Sequence, residues 1–196
     1  ADKLLISILP CHGEMDIKVS HNGVVLANAT VDSLYSTVIL SPSEGLYYIY
    51  MATKQYRSAF FQIFATTRTS TYPYPKLPKD TRVKVFKNRK SCRSATIAWL
   101  GTNRMQQYCL YAKEEKPATA VHFIETNQCA APSHRKSSHK ISCRKVHFKK
   151  RRRAVITERL TRLRPNRQYT FEVYVTKLGG QTLSYKPVSI FIPRRC

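Results

Sequence analysis

Apolar residues in this chain recur at every second position rather than every third or fourth, a period that predicts strands. No convincing helix signal competes with it. β-branched and aromatic residues are frequent, twelve tyrosines among them, and turn residues separate the runs at regular spacing. Together these features predict an all-β chain of packed sandwiches. In the first half, strands are predicted around Leu4–Leu9, Met15–Ser20, Val24–Asn28, Tyr35–Leu40, Tyr47–Thr53 and Ser58–Thr66. His21-Asn22-Gly23 supplies a hairpin turn between the second and third. In the second half, strands are predicted at Thr81–Phe86, Ser94–Leu100, Gln106–Lys113, Ala120–Glu125, Ala154–Thr161, Gln168–Lys177 and Leu183–Ile192, with Gly179-Gly180 as the turn before the last. Pro73, Pro75 and Pro78 give a stiff, extended connection between the halves. The expected organisation is a domain at 1–72, a linker at 73–78 and a domain at 79–196. Residues 127–153 carry no strong strand pattern and exceed a usual connection, so they read as a functional insertion.

Length is consistent with this division, since 196 residues allow two small domains. No apolar run approaches a membrane span, and no signal-peptide pattern opens the sequence, so it reads as a soluble piece cut from something longer. Charge changes the picture more. The chain carries 34 Lys+Arg against 11 Asp+Glu, a formal charge of +23. Residues 1–76 account for +1 of this and residues 77–196 for +22. The stretch from His134 to Arg153 alone holds ten Lys/Arg, three His and no acid. Unopposed like charge on this scale destabilises a compact state unless a polyanion neutralises it, so nucleic acid, a glycosaminoglycan or an anionic membrane is the expected partner.

The cysteines narrow that choice. Cys11, Cys92, Cys109, Cys129, Cys143 and Cys196 are widely spaced and form no CxxC pair. An even count at such spacing suits disulfides in an oxidising compartment. Asn28-Ala29-Thr30 is a glycosylation sequon, consistent with the same setting. Cys129, His134, His139 and Cys143 form a tetrahedral zinc set by residue type, but their spacing is no common finger pattern and disulfide pairing is favoured over it. No metal and no cofactor is expected. Enzyme signatures such as HExxH, GxSxG and a phosphate-cradling glycine loop are absent, and the scattered acids offer no acid–base pair. Nucleic-acid binding would want aromatics interleaved with the basic residues, whereas Phe148 alone sits in the cluster.

The segment Leu160-Thr161-Arg162-Leu163-Arg164-Pro165-Asn166-Arg167-Gln168-Tyr169-Thr170-Phe171-Glu172-Val173 resembles a fibronectin type III signature. Its core is Leu163, Pro165 and Tyr169. The resemblance implies that Pro165 turns the chain at the E–F corner and that the Tyr169 hydroxyl bonds back to the corner backbone. Trp99, in Ala95-Thr96-Ile97-Ala98-Trp99, looks like the core residue of strand B, and Tyr169, Phe171, Val173 and Val175 would fill the core from strand F. The first half is similar more loosely. Leu40-Ser41-Pro42 and Tyr47 resemble the same corner, but Leu46 stands at the tyrosine position, no Trp lies on the second strand and there is little room for an A strand. It reads as a degenerate, shortened type III domain. The fold class is thus two tandem fibronectin type III-like β-sandwiches, the second with a long basic insertion between its fourth and fifth strands. In that fold Cys92 and Cys196 come to one end and are expected to pair. Cys109 faces outward and pairs with Cys129 or Cys143, leaving the other to Cys11 as a link between domains.

Ser91-Cys92-Arg93-Ser94-Ala95-Thr96-Ile97-Ala98-Trp99-Leu100-Gly101 and Tyr108-Cys109-Leu110-Tyr111, with the basic insertion, are similar to the neuron-derived neurotrophic factor family. The resemblance implies a secreted, glycosaminoglycan-binding protein that modulates growth-factor or morphogen signalling of the bone morphogenetic protein and Hedgehog type. On the residues themselves, planar guanidinium forks suit sulfate and carboxylate oxygens. The expected heparan sulfate (heparin) residues are Arg135, Lys136, Lys140, Arg144, Lys145, Lys149, Lys150, Arg151, Arg152, Arg153 and Arg159, joined by Lys87, Arg89, Lys90 and Arg93. Arg162, Arg164 and Arg167 continue the series along strand E and its corner. A nucleic-acid-binding protein and a purely structural or adhesive matrix module are the alternatives. No nucleic acid is expected as the partner, and no transmembrane segment.

Overall fold

The computed structural model describes residues 2–53, 59–86, 88, 90–102, 104–115, 127–129, 138–147 and 155–195. Among them there is no α-helix, and a 3-10 turn spans Thr69–Thr71. No helix among the described residues is long and apolar enough to cross a membrane. The chain divides into two compact units, residues 1–72 with 127–130, and residues 73–126 with 131–196.

The first unit is six antiparallel strands: β1 (Lys3–Pro10), β2 (Met15–His21), β3 (Val24–Val31), β4 (Tyr35–Leu40), β5 (Tyr47–Thr53) and β6 (Phe61–Thr66). They form two sheets, β4-β1-β6 and β3-β2-β5. Alternation supplies one apolar face each: Ile6 and Ile8 from β1 meet Met15, Ile17 and Val19 from β2 in a shared core. The expected corner is rebuilt one residue out of place. With Leu46 at the tyrosine position, Tyr47 donates to the Ser43 carbonyl at 3.0 Å. Buried His21 stacks on the Tyr47 ring at 4.3 Å, bonds the Leu46 carbonyl through Nδ1 and meets the Ser43 hydroxyl through Nε2. Gly45, at φ +129°, leaves room for this ring, since a Cβ there would lie 2.9 Å from His21 Cε1.

The second unit contains β7 (Lys84–Val85), β8 (Ala95–Leu100), β9 (Gln106–Glu115), β10 (Ser138–Val146), β11 (Val155–Leu160), β12 (Arg167–Lys177), β13 (Thr182–Ser184) and β14 (Val188–Ile192). One sheet is β7-β8-β11; the other runs β10-β9-β12, with β13 and β14 both on the far side of β12. These are the A-B-E and C′-C-F-G sheets of a type III sandwich. The core residues alternate as that fold requires: Ile97 and Trp99 from β8, Tyr108 and Leu110 from β9, and Tyr169, Phe171, Val173 and Val175 from β12 are all buried. The corner closes as the motif implies, with the Arg164 amide donating to the Tyr169 hydroxyl at 2.9 Å. The expected last strand is broken near Pro187, which has no amide to donate. Next to that break the Lys186 amide donates to Thr81 instead.

Strand by strand the units correspond, β1–β5 to β8, β9, β10, β11 and β12. Their last strands differ. β6 pairs with β1, in the seat that β7 holds beside β8. The shortened first unit therefore fills its A position with its own final strand. Residues 73–78 belong to the second unit rather than standing free. Tyr74 is buried, Gln106 exchanges hydrogen bonds with the Lys76 backbone, and Pro73 accepts from the Gln181 amide at 2.9 Å. Gly180 permits that approach, since a Cβ there would fall 2.3 Å from the Pro73 carbonyl oxygen.

One expectation changes. Within the supposedly strand-free stretch 127–153, residues Ser138–Val146 form an edge strand along β9 from Gln106 to Lys113. The predicted strand at Ala120–Glu125 lies outside the described residues. Since Trp99 is the only tryptophan, its fluorescence reports the second unit alone. Tyr169→Phe is expected to lower the urea midpoint of that signal by a loss of about 1–2 kcal/mol, because the hydroxyl leaves an amide and a carboxylate without their partner. An unchanged midpoint contradicts the role given to the corner.

Candidate functional site

The second unit has two ends, and the basic residues divide between them. At one end lie the start of β8, the end of β9, the E–F corner after β11 and the residues past β14. The register fixes this: Leu160 faces Ala95, Gln168 faces Glu115, and Arg167 faces Ile192. At the other end lie Leu100, Gln106, Val146 and Val155, paired as Val155 with Leu100 and Val146 with Gln106.

β10 runs between the two ends. It is held directly opposite β9 by the Cys109–Cys143 disulfide, Cα–Cα 4.1 Å. Cys109 points to the outer face, because Tyr108 and Leu110 fill the core. Lys140 and Lys145 share that outer face, opposite Tyr111 and Gln107, and both are exposed. Arg144 points the other way. Its guanidinium pairs with Glu158 and donates to the Thr157 carbonyl at 2.9 Å, tying β10 to β11 of the opposite sheet. Arg144 is thus a clamp across the sandwich edge, and its charge is matched within the fold.

Exposed basic residues gather at the first-named end. The Leu163 amide bonds the Arg93 carbonyl at 3.0 Å, and the Asn166 amide bonds the Ile192 carbonyl at 2.9 Å. These bonds bring the A–B connection, the E–F corner and the chain past β14 together. Lys90, Arg93, Arg162, Arg164, Arg194 and Arg195 are exposed there, and Arg167 is half-buried. Glu114 is the carboxylate that answers them, 3.2 Å from Arg167 and 3.7 Å from Arg164. It also accepts from the Tyr169 hydroxyl at 3.2 Å. Burial, with the Glu114 charge adding to it, raises the Tyr169 hydroxyl above the usual tyrosine range, so this proton stays in place.

The expected site is therefore not one surface. Lys140 and Lys145 lie on the outer face of one sheet, Arg159 on that of the other, and Lys90 and Arg93 at one end. Arg194 and Arg195 were not among the expected residues; the type III register that ends β14 beside the corner was the signal for them. Arg135, Lys136, Lys149, Lys150, Arg151, Arg152, Arg153, Lys87 and Arg89 lie outside the described residues. By the observed division, the first unit holds five Lys/Arg (Lys3, Lys18, Lys54, Arg57, Arg68) and five acids (Asp2, Glu14, Asp16, Asp32, Glu44). The whole formal charge of +23 belongs to the second.

Asn28 is exposed on the edge strand β3, on the outer face with Lys18 and Tyr50, and Thr30 of the sequon donates to Asp16 at 2.5 Å. Cys11 pairs with Cys129 at a Cα–Cα distance of 5.0 Å. This is one of the two pairings expected for Cys11, and it joins the start of the insertion to the first unit, with which residues 127–130 group. It pins residues 127–129 to β1, with the Gln128 amide on the Cys11 carbonyl. Cys129 and Cys143 thus have different sulfur partners, which removes both thiols of the possible zinc set. Cys92 is also in a disulfide, while Cys196, the partner expected for it, lies outside the described residues.

The family model described as Neuron-derived Neurotrophic Factor C-terminal matches residues 24–196. Protein NDNF from Mus musculus and from Homo sapiens are each 32% identical to the chain over 186 residues, 94% of this chain and 33% of each relative. Protein NDNF from Danio rerio is 27% identical over 197 residues, 99% of this chain and 34% of that protein. The chain spans about a third of the length of these curated relatives. Among solved structures, the chicken CNTN1 FN1-FN3 domains align with 92% of this chain and 56% of that one, at 11% identity and a TM-score of 0.37. With the family match covering all of the second unit and most of the first, the chain belongs to the Neuron-derived Neurotrophic Factor C-terminal family.

Proposed function

We propose that this chain is a secreted, non-catalytic module that binds heparan sulfate through its second unit and modulates growth-factor or morphogen signalling of the bone morphogenetic protein or Hedgehog type. The observation that carries the reading is the charge partition: a balanced first unit beside a second that holds all of the +23. Two cystines among the described residues favour an oxidising compartment, where a sulfated polysaccharide is the polyanion at hand. The exposed sequon Asn28 fits the same setting and is proposed to carry a glycan. In this reading the Lys149–Arg153 run and the exposed lysines of β10 contact the polymer, and binding weakens steeply with salt as counterions are released. The growth factor is held close by the shared polymer, or by the near-neutral first unit.

Heparin-affinity chromatography tests this. Lys149–Arg153→Ala is expected to elute at clearly lower salt than the parent chain; an unchanged elution position removes the run from the site. Arg144→Gln is expected to leave elution nearly unchanged while lowering stability by up to about 1 kcal/mol, since its charge is already paired with Glu158.

A further inference from the structure

The arginine end of the second unit stands apart from the described residues that flank the Lys149–Arg153 run. The chain enters and leaves that run at His147 and Val155, and β10 and β11 place those residues at the opposite end of the sandwich. β12 spans the distance with 11 residues, roughly 35 Å of strand. At the arginine end, Arg93, Arg162, Arg164, Arg167, Arg194 and Arg195 converge from three separate segments of chain. The carboxylate described there is Glu114, which is shared by Arg164 and Arg167. Arg93, Arg162, Arg194 and Arg195 are exposed and have no ion pair among the described residues.

Folding therefore gathers like charges that are distant in sequence and leaves most of them unneutralised, an arrangement that costs stability unless a ligand offsets it. The corner is also held by hydrogen bonds to its surroundings. Two backbone hydrogen bonds lock the corner to its neighbours, and the Arg164 amide is fixed on Tyr169. The cationic groups are guanidiniums almost throughout, the fork suited to paired oxygens.

We propose that this end is a second polyanion site, distinct from the Lys149–Arg153 run, which binds the sulfate and carboxylate groups of a glycosaminoglycan. It rests on the heparan sulfate reading above and adds that one chain engages the polymer at two separated places. A polymer long enough to reach both ends binds once and tightly, because the second contact is intramolecular. A short oligosaccharide fills each end independently.

The test is isothermal titration calorimetry of the whole chain with a heparin hexasaccharide at moderate salt. The probe variant is Arg162→Asn, Arg194→Gln and Arg195→Gln together. Asn is chosen because Arg162 sits at φ +62°, which asparagine tolerates. Trp99 fluorescence checks that each variant is folded. The expected stoichiometry is two for the parent chain, one for the arginine-end variant, one for Lys149–Arg153→Ala and none for the two combined. The corresponding Arg→Lys variant at 194 and 195 keeps both sites but binds the hexasaccharide several-fold more weakly at one of them. A parent stoichiometry of one that the arginine-end variant leaves intact overturns this proposal while sparing the heparan sulfate reading. A parent chain that binds no hexasaccharide overturns both. A single-stranded DNA of matched charge that binds the arginine end more tightly than the hexasaccharide overturns the assignment to a polysaccharide.

Discussion

One hydroxyl organises the end of the second unit on which most of this account rests. Tyr169 receives the Arg164 amide and donates to Glu114, and Glu114 in turn reaches Arg164 and Arg167. A single buried phenol thus joins the backbone turn that defines the corner, the end of β9 and two of the arginines. The bond belongs to the fold, since it satisfies a corner amide that burial would otherwise leave without a partner. It also belongs to the surface, because it sets where the corner arginines stand. Fold and charge pattern share one fixed point, and neither can shift without the other.

The second constraint is electrostatic. A unit holding the whole formal charge of +23 must stay compact before any partner arrives. Its interior answers with side chains that need no charge: Trp99, Tyr108, Phe171, Val173 and Tyr185 are almost fully buried between the sheets. Burial, with Tyr108 beside it adding to the effect, pushes the Tyr185 hydroxyl far above the ordinary tyrosine range, and that hydroxyl donates to the Leu100 carbonyl. The basic edge strand β10, with few apolar residues of its own, is secured by covalent and ionic means. The Cys109–Cys143 bridge closes a loop of 34 residues, roughly 3–4 kcal/mol of restriction on the unfolded chain. Arg144 then closes the sandwich edge from the other side. Where charge does neutralise charge at the surface, as when Arg82 and Lys84 hold the Asp80 carboxyl well below its usual range, the pairs are exposed and add little to stability.

Local pattern announced much of this. The six strands of the first unit and the His21-Asn22-Gly23 turn follow from alternation and turn chemistry, and Leu163, Pro165 and Tyr169 marked the corner before any coordinates. What stayed hidden depends on partners distant in sequence. β10 carries Ser, His, Lys and Arg at most positions, and only its pairing with β9 and its disulfide make it a strand. Nothing in Phe61–Thr66 says that it pairs with β1 and so takes the A position. The choice of Cys129 for Cys11 is likewise a property of the folded first unit. The split of the basic residues follows from register. Arg144 and Lys145 are neighbours in sequence, but the pleat sends one into the fold and the other outward. Arg194 and Arg195 look like an unremarkable tail until β14 brings them beside the corner.

The central claim is that the second unit alone meets the polyanion, and at both of its ends. Arginine footprinting with a dicarbonyl reagent, read by mass spectrometry with and without heparin, examines it side chain by side chain. The account predicts strong protection of Arg162, Arg194 and Arg195 and of the Arg151–Arg153 run, with Arg68 of the first unit unchanged. Protection of Arg68 equal to theirs, or arginines at both ends of the second unit that react as fast with heparin as without it, would contradict the account.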